Sequence, residues 1–136
     1  KMSVARTVLD SFALLAFLRG EPGEEKIAAL LERAGLRDEP VHMTEVNYAE
    51  FKYITIRKDG KDRWEEIAAE LPALPIQFHP ATRALSDLAA DFKARYKISL
   101  ADAFAAALAK ERKAQLVTGD PEFKALEREI KIGWLE

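Results

Sequence analysis

Residues 6–18 predict a strand that leads directly into a helix, and they read Arg6-Thr-Val-Leu-Asp-Ser-Phe-Ala-Leu-Leu-Ala-Phe-Leu18. The β-branched run 6–9 stops at Asp10, and apolar residues then continue from Phe12 to Leu18. We expect this helix to be buried, because 12–18 contains no polar residue. The carboxyl end of the strand therefore carries an acidic residue, and a helix begins immediately after it.

The same alternation of short strands and helices continues along the chain. Further strands are predicted at 40–43, 75–78, 115–118 and 130–132. Further helices are predicted at 27–34, 44–57, 64–71, 80–96 and 100–109. We expect Gly35 to end the first of these helices, Thr44 to be the N-cap of the second and Ser99 to open the last.

This order of elements is typical of parallel βαβ units, in which helices cover both faces of a sheet. The sequence thus predicts a three-layer α/β/α sandwich with a central, mostly parallel sheet of about five strands. Ligands of such sheets bind beyond the carboxyl ends of the strands. Function is therefore expected at the strand-to-helix junctions.

Length and composition indicate one domain and exclude several function classes. The chain has 136 residues, and we assign 3–136 to a single domain because Lys1 and Met2 resemble a vector-derived leftover. The net charge of −2 excludes a uniformly cationic nucleic-acid coat. The absence of cysteine excludes disulfides, Cys-ligated zinc and iron–sulfur clusters, and two histidines argue against an all-His metal site.

The apolar segments are too short to span a membrane. The run 12–18 falls far below the roughly 20 residues that a transmembrane helix requires. A chain without cysteine also suits a reducing compartment. We therefore expect a soluble, cytoplasmic protein that does not interact with membranes.

Two acidic residues stand at the carboxyl ends of predicted strands. Asp10 follows the first strand, and Asp120 follows the strand at 115–118. Both would face the same edge of a parallel sheet. The structural alternative is that each aspartate is an N-cap, with Pro121 at the first position of the helix after Asp120.

Two further carboxylates occupy helix positions where apolar residues are expected. Asp102 lies among small apolar residues, and its structural alternative is a capping box with Ser99. Glu50 interrupts the apolar stripe of the helix at 44–57, and its alternative is a side chain that extends to solvent. An unpaired buried carboxylate is costly, so each requires a cap or a cation.

Together the four carboxylates suggest a metal site. Like charges about 4 Å apart repel by about 4 kcal/mol at an effective dielectric of 20, so a cluster requires a cation or raised pKa values. Ligands that are all oxygen favour Mg²⁺ or Mn²⁺. A hydrated hard cation in a cleft is typical of phosphoryl-transfer enzymes.

Four motifs resemble those of the PIN-domain ribonucleases, and especially the VapC-type toxins of toxin–antitoxin pairs. The motifs, in the family's order and spacing, are Val8-Leu-Asp-Ser, Thr44-Glu-Val-Asn-Tyr-Ala-Glu-Phe, Ser99-Leu-Ala-Asp-Ala-Phe and Leu116-Val-Thr-Gly-Asp-Pro-Glu-Phe. The resemblance implies a metal-dependent endoribonuclease with a parallel sheet between helices. It also implies a homodimer that a protein antitoxin holds inactive.

The resemblance assigns the catalytic acids to Asp10, Glu50, Asp102 and Asp120. We expect the three aspartates to hold Mg²⁺ or Mn²⁺, while Glu50 orients or deprotonates the attacking water. Supporting roles are expected for Ser11, Asn47 and Thr118. Cleavage of RNA is expected to leave a 5′-phosphate and a 3′-hydroxyl.

A local excess of basic residues is a candidate surface for the RNA substrate, although such runs are often ordinary solvated helix ends. The candidates are Lys52, Arg57, Lys58, Lys61 and Arg63.

Several other functions remain open at the level of sequence. One alternative is a housekeeping PIN nuclease that processes RNA. A Mg²⁺-dependent phosphatase is less favoured, because Asp10-Ser-Phe12 lacks the Asp-x-Asp pattern of such enzymes. A PIN module that only binds protein is disfavoured because all four acids are present.

Overall fold

The computed structural model describes residues 6–135, and positions 3–5 and 136 of the predicted domain lie outside the described residues. The five strands are β1 Thr7–Leu9, β2 Val41–Thr44, β3 Ile76–His79, β4 Gln115–Thr118 and β5 Ile132–Trp134. The six α-helices are α1 Ser11–Arg19, α2 Glu24–Arg37, α3 Glu45–Asp59, α4 Lys61–Glu70, α5 Arg83–Arg95 and α6 Leu100–Arg112. A 3₁₀ helix, Pro121–Leu126, follows β4.

The five strands form one sheet in the order β3-β2-β1-β4-β5, and every neighbouring pair is parallel. The predicted fold class is confirmed. Strands β2 and β3 follow β1 on one side of it, and β4 and β5 lie on the other side of β1. A crevice opens at such a reversal of strand order, here between the ends of β1 and β4.

Alternate strand residues face different helical layers, as the two-residue period of a strand requires. Val8 and Leu116 pack against α5 and α6, whereas Leu9 and Val117 pack against α1 and α2. Helix α6 is buried all round from Ala101 to Ala109, as its apolar sequence predicts.

Three local predictions are wrong. Helix α2 passes through Gly35 to Arg37 and ends where Asp38 adopts a left-handed conformation with φ of 53°. A glycine inside a helix weakens it without ending it. Strand β5 lies two residues later than predicted, because Ile130 is buried against the α5–α6 layer. Phe12, expected in the core, is 41% exposed.

The longest helix, α3, has 15 residues. Within residues 6–135, no helix combines the length and the apolar character needed to cross a bilayer.

Candidate active site

The four predicted acids line a single crevice of about 380 Å³ at the carboxyl edge of the sheet. Strands β1 and β4 contribute Asp10 and Asp120, which follow their last residues, and helices α3 and α6 contribute Glu50 and Asp102. The parallel register aligns Leu9 with Val117, which brings the two strand ends side by side. Residues distant in sequence therefore meet because of the strand order.

Asp10 is held by two hydrogen bonds. Its Oδ1 accepts from the backbone N–H of Ala13 at 2.9 Å, and its Oδ2 accepts from the hydroxyl of Thr118 at 2.5 Å. The side chain is thus an N-cap of α1 and also a wall of the crevice. Burial raises the pKa of Asp10 to about 7, and the charges of Asp120 and Glu50 add to the rise against these two hydrogen bonds.

Asp120 combines the same two roles at the end of β4. Its backbone N–H donates to the Thr118 hydroxyl at 3.0 Å, and its Oδ1 accepts from the N–H of Glu122 at 2.9 Å. The cap expected from the sequence is present, and the carboxylate still lines the crevice. Asp120 can therefore cap the 3₁₀ helix and still belong to the acidic site.

Asp102 lies in the first turn of α6 and is 6% exposed. Its backbone N–H donates to the hydroxyl of Ser99 at 3.0 Å, which is one half of the capping box considered above. Burial, a hydrogen bond with the Glu122 carboxyl, and the charges of nearby carboxylates raise the pKa of Asp102. The protein therefore holds this carboxyl where its charged form is disfavoured.

Glu50 faces the crevice from α3, and the hydroxyl of Ser11 donates a hydrogen bond to its Oε1. The side chain does not simply extend to solvent, since it is partly buried beside the other acids. Ser11 and Glu50 thus join the first turn of α1 to the middle of α3.

Asn47 lies outside the crevice and links two of the elements that build it. Its side-chain Nδ2 donates to the carbonyl of Ala101 at 3.0 Å, and its Oδ1 accepts from the Thr44 hydroxyl at 2.5 Å. Asn47 precedes Glu50 by about one helical turn, and Ala101 precedes Asp102 directly. The fully buried amide therefore fixes α3 relative to α6.

Glu122 is a fifth acid that the sequence reasoning missed. One carboxylate oxygen each from Asp102, Asp120 and Glu122 lies within 4.8 Å of the other two. The sequence feature that could have revealed Glu122 is the motif Asp120-Pro-Glu122, which directly follows a strand. The tight 3₁₀ turn after the strand brings Glu122 back toward Asp120.

The donor set suits a hard divalent cation. These three carboxylates offer only oxygen, as Mg²⁺ and Mn²⁺ prefer, and the partial exposure of Asp120 and Glu122 leaves room for water. The raised pKa values of Asp10 and Asp102 point the same way, because crowded carboxylates require a cation or a proton.

None of the five basic candidates lines the acidic crevice: Lys52, Arg57 and Lys58 belong to α3, and Lys61 and Arg63 belong to α4. Lys52 stands 5.5 Å from the centre of the Trp64 ring, and Arg57 stands 5.1 Å from that of Tyr53. Lys61 is exposed. Lys58 and Arg63 line a separate pocket.

Several solved structures share this fold. DNA-bound VapBC from Salmonella typhimurium matches with a TM-score of 0.76 at 16% identity, covering 96% of this chain and 98% of that one. VapC20 of Mycobacterium tuberculosis, a sarcin–ricin loop cleaving toxin, gives 0.69 at 17% identity, with 88% and 94% covered. FitAcB from Neisseria gonorrhoeae gives 0.66 at 20% identity, with 96% of each chain covered.

Sequence comparison gives the family. No curated protein matches the chain. The family model of the PIN domain, however, matches residues 7–129, a span that runs from β1 past Asp120 and Glu122. With the acids gathered at one edge of a parallel sheet, this match shows that the chain belongs to the PIN-domain family.

Proposed function

We propose that this protein is a divalent-metal-dependent endoribonuclease and the toxin of a type II toxin–antitoxin pair, acting in the cytoplasm. The observation that carries the proposal is the convergence of five carboxylates, including Glu122, in one crevice. The VapBC and FitAcB structures support a partner protein, and the name of VapC20 supports a cleaving activity. We further propose a homodimer and an antitoxin that covers the crevice.

In this proposal Mg²⁺ or Mn²⁺ is held by Asp102, Asp120 and Glu122, with Asp10 as a further ligand, directly or through water. The chemistry supplied by the bound cation is a lower pKa of coordinated water and compensation of phosphate charge. Thr118 and the Ala13 N–H orient the two oxygens of Asp10. Ser99 fixes the turn that carries Asp102.

Glu50 is the proposed general base. The Ser11 hydroxyl donates to its Oε1, so Oε2 remains available to accept a proton from the attacking water. The water oxygen bonds to phosphorus as the bond to the 3′-oxygen breaks, and that oxygen takes a proton from solvent. The products are a 5′-phosphate and a 3′-hydroxyl.

Cleavage of a mixed RNA pool tests the activity. We expect cleavage with Mg²⁺ or Mn²⁺, none with EDTA, and a loss of at least a hundredfold in Asp102→Asn. The matched control is Glu65→Gln, which removes an exposed acid from α4 and should cleave normally. Equal activity in Asp102→Asn and the unmodified protein would overturn the proposal, and sequencing the ends identifies the bond cleaved.

A growth experiment separates a toxin from a housekeeping nuclease. Induced expression should arrest growth, and co-expression of a small DNA-binding protein encoded next to this gene should restore it. Arrest should disappear in Asp102→Asn. Normal growth with active protein present would favour the housekeeping role.

A further inference from the structure

A second pocket lies at the far ends of the two helices that carry Ser11 and Glu50. It measures about 570 Å³ and is lined by Leu18, Arg19, Lys58, Asp59 and Arg63. We call it the cationic pocket, because three of its five lining residues are basic and one is acidic. Arg19 was not among the basic residues predicted to contact RNA.

Arg19 has unused hydrogen-bond donors. Its Nε lies 3.5 Å from Oε2 of Glu21, and its Nη2 lies 3.4 Å from Oδ1 of Asp59. Even so, Nε and Nη1 are buried and have no hydrogen-bond partner among residues 6–135. Buried hydrogen-bond donors almost always have an acceptor. A guanidinium can donate two parallel hydrogen bonds to two oxygens of one phosphate. The two acidic neighbours of Arg19 therefore leave part of the hydrogen-bonding capacity of its guanidinium unmet.

The other two basic residues of the cationic pocket, Arg63 and Lys58, lie where they can also contact an anion. Arg63 donates from Nη2 to the carbonyl of Leu18 at 3.3 Å, which holds it at the end of α1, and its Nη1 lies 3.4 Å from Oε1 of the exposed Glu66. Lys58 is exposed and forms no ion pair with any residue of 6–135. One positive charge in the pocket is thus fixed, and another is free to move toward a ligand.

The cationic pocket and the acidic crevice are joined by α1 and α3. Ser11 contacts Glu50 near one end, and Arg19 pairs with Asp59 at the other, so the helices pack side by side. Arg19 follows Ser11 by eight positions, which correspond to about 12 Å at a rise of about 1.5 Å per residue. A stacked single strand rises about 3.4 Å per nucleotide, so the distance corresponds to roughly four nucleotides.

The surface next to the acidic residues can accommodate the bases of a nucleic acid. Phe12, Leu15 and Ile54 line the crevice beside the carboxylates, and residue Phe12 is 41% exposed. Exposed aromatic side chains serve as stacking platforms for unpaired bases. Acidic, apolar and cationic surfaces therefore follow one another along α1 and α3.

We propose that the cationic pocket binds a backbone phosphate of an RNA strand, about four nucleotides from the bond held in the acidic crevice. This inference rests on the proposed ribonuclease function. An acidic protein segment is the competing occupant. RNA is favoured because it carries a phosphate at every nucleotide, whereas a peptide must present an acidic side chain at one particular spacing.

Binding of single-stranded RNA tests the pocket. The assay uses the full chain carrying Glu50→Gln, with Mg²⁺, and fluorescent RNAs of two and eight nucleotides between 50 and 200 mM salt. Arg19→Gln and Lys58→Gln should each weaken binding of the longer RNA about three- to tenfold. Each should also make the slope of log K against log salt shallower by about 0.7, the value for one phosphate contact on a single strand.

Two controls accompany these variants. Lys131→Gln removes an exposed charge beside β5 and should change neither affinity nor slope. The two-nucleotide RNA is too short to span both sites, so the pocket variants should bind it normally. Lys58→Gln breaks no ion pair, so its result does not depend on a change in folding.

The outcomes separate this inference from the proposed function. Cleavage by the unmodified chain, with unchanged slopes in both pocket variants, overturns the pocket and leaves the ribonuclease standing. Reduced slopes without cleavage by the unmodified chain support the pocket and overturn the ribonuclease. If an eight-residue polyglutamate loses affinity in both variants while RNA does not, the occupant is a protein and the RNA inference is wrong.

Discussion

The hydroxyl of Thr118 donates to Oδ2 of Asp10 at 2.5 Å, where β1 and β4 end side by side. The same hydroxyl accepts the backbone N–H of Asp120 at 3.0 Å. Both Thr118 and Asp10 are buried. One side chain thus sets the positions of two of the acids.

Replacing this hydroxyl should weaken the fold and the site together. Thr118→Val keeps the shape but leaves Asp10 and the Asp120 N–H without their partner, so the free energy of unfolding should fall by about 1–3 kcal/mol. The pKa of Asp10 should rise further, because this hydrogen bond lowers it. Urea denaturation measures the stability, and Thr118→Ser should retain most of it. A Thr118→Val protein of unchanged stability contradicts the assignment.

The metal-free protein should lose stability as pH rises from about 4 to 7. Asp10 has a pKa of about 7 when folded and near 3.8 when unfolded, so the folded state holds the extra proton across this interval. The effect is at most about 4 kcal/mol, at about 1.4 kcal/mol per pH unit, and levels off above pH 7. The raised pKa of Asp102 acts in the same direction.

Urea denaturation in EDTA between pH 5 and 8 checks this expectation. Asp10→Asn should remove much of the pH dependence of the free energy of unfolding. Glu129 does not interfere, since hydrogen bonds from Arg95 and Tyr96 lower its pKa to about 2, below the range tested. Burial lowers the pKa of His79, which opposes the trend of Asp10 in the same range, so the comparison with Asp10→Asn isolates the aspartate. An equal pH dependence in the two proteins would falsify the assignment.

Glu122 should contribute to metal affinity. Glu122→Gln removes one of three converging negative charges, so Mn²⁺ binding should weaken about tenfold or more. Titration calorimetry measures the affinity, with Glu65→Gln as the control for loss of an exposed acid. Identical Mn²⁺ affinity in Glu122→Gln and the unmodified protein would remove Glu122 from the proposed ligand set.

Asn47 should be a positioning residue. Asn47→Ala leaves the Ala101 carbonyl and the Thr44 hydroxyl without their amide partner, and stability should fall by about 1–3 kcal/mol. RNA cleavage should fall even where the variant is fully folded, because Glu50 and Asp102 lose their fixed separation. Urea denaturation and cleavage rates at low temperature test the two effects. Gln77→Ala, at an exposed amide of β3, should change neither.

The loop after β4 requires a glycine because of Phe12. A Cβ at residue 119 would lie 2.5 Å from Cε1 of the Phe12 ring, so Gly119→Ala must displace that ring. We expect destabilisation of about 1–3 kcal/mol, typical of overpacking. The double variant with Phe12→Leu should recover part of the loss in thermal melts. Strictly additive effects in that double-mutant cycle would exclude the contact.

The sequence alone determined the features that depend on neighbouring residues. Strand and helix order, the caps at Thr44 and Ser99, and acids at two strand ends follow from short-range spacing and backbone hydrogen-bonding needs. The fold class followed because helices between short strands leave few arrangements besides a parallel sheet. The end of α2 and the register of β5 were missed, because tertiary packing overrides weak local signals there.

Which residues meet at the site depends on the three-dimensional arrangement of the strands and helices. The order β3-β2-β1-β4-β5 brings Asp10 beside Asp120, and the Asn47 bridge sets α3 against α6. The raised pKa of Asp10 depends on burial by residues from several elements. Glu122 and Arg19 owe their surroundings to partners distant in the chain. Desolvation, charge repulsion and hydrogen bonding act through space, so spacing along the chain does not reveal them.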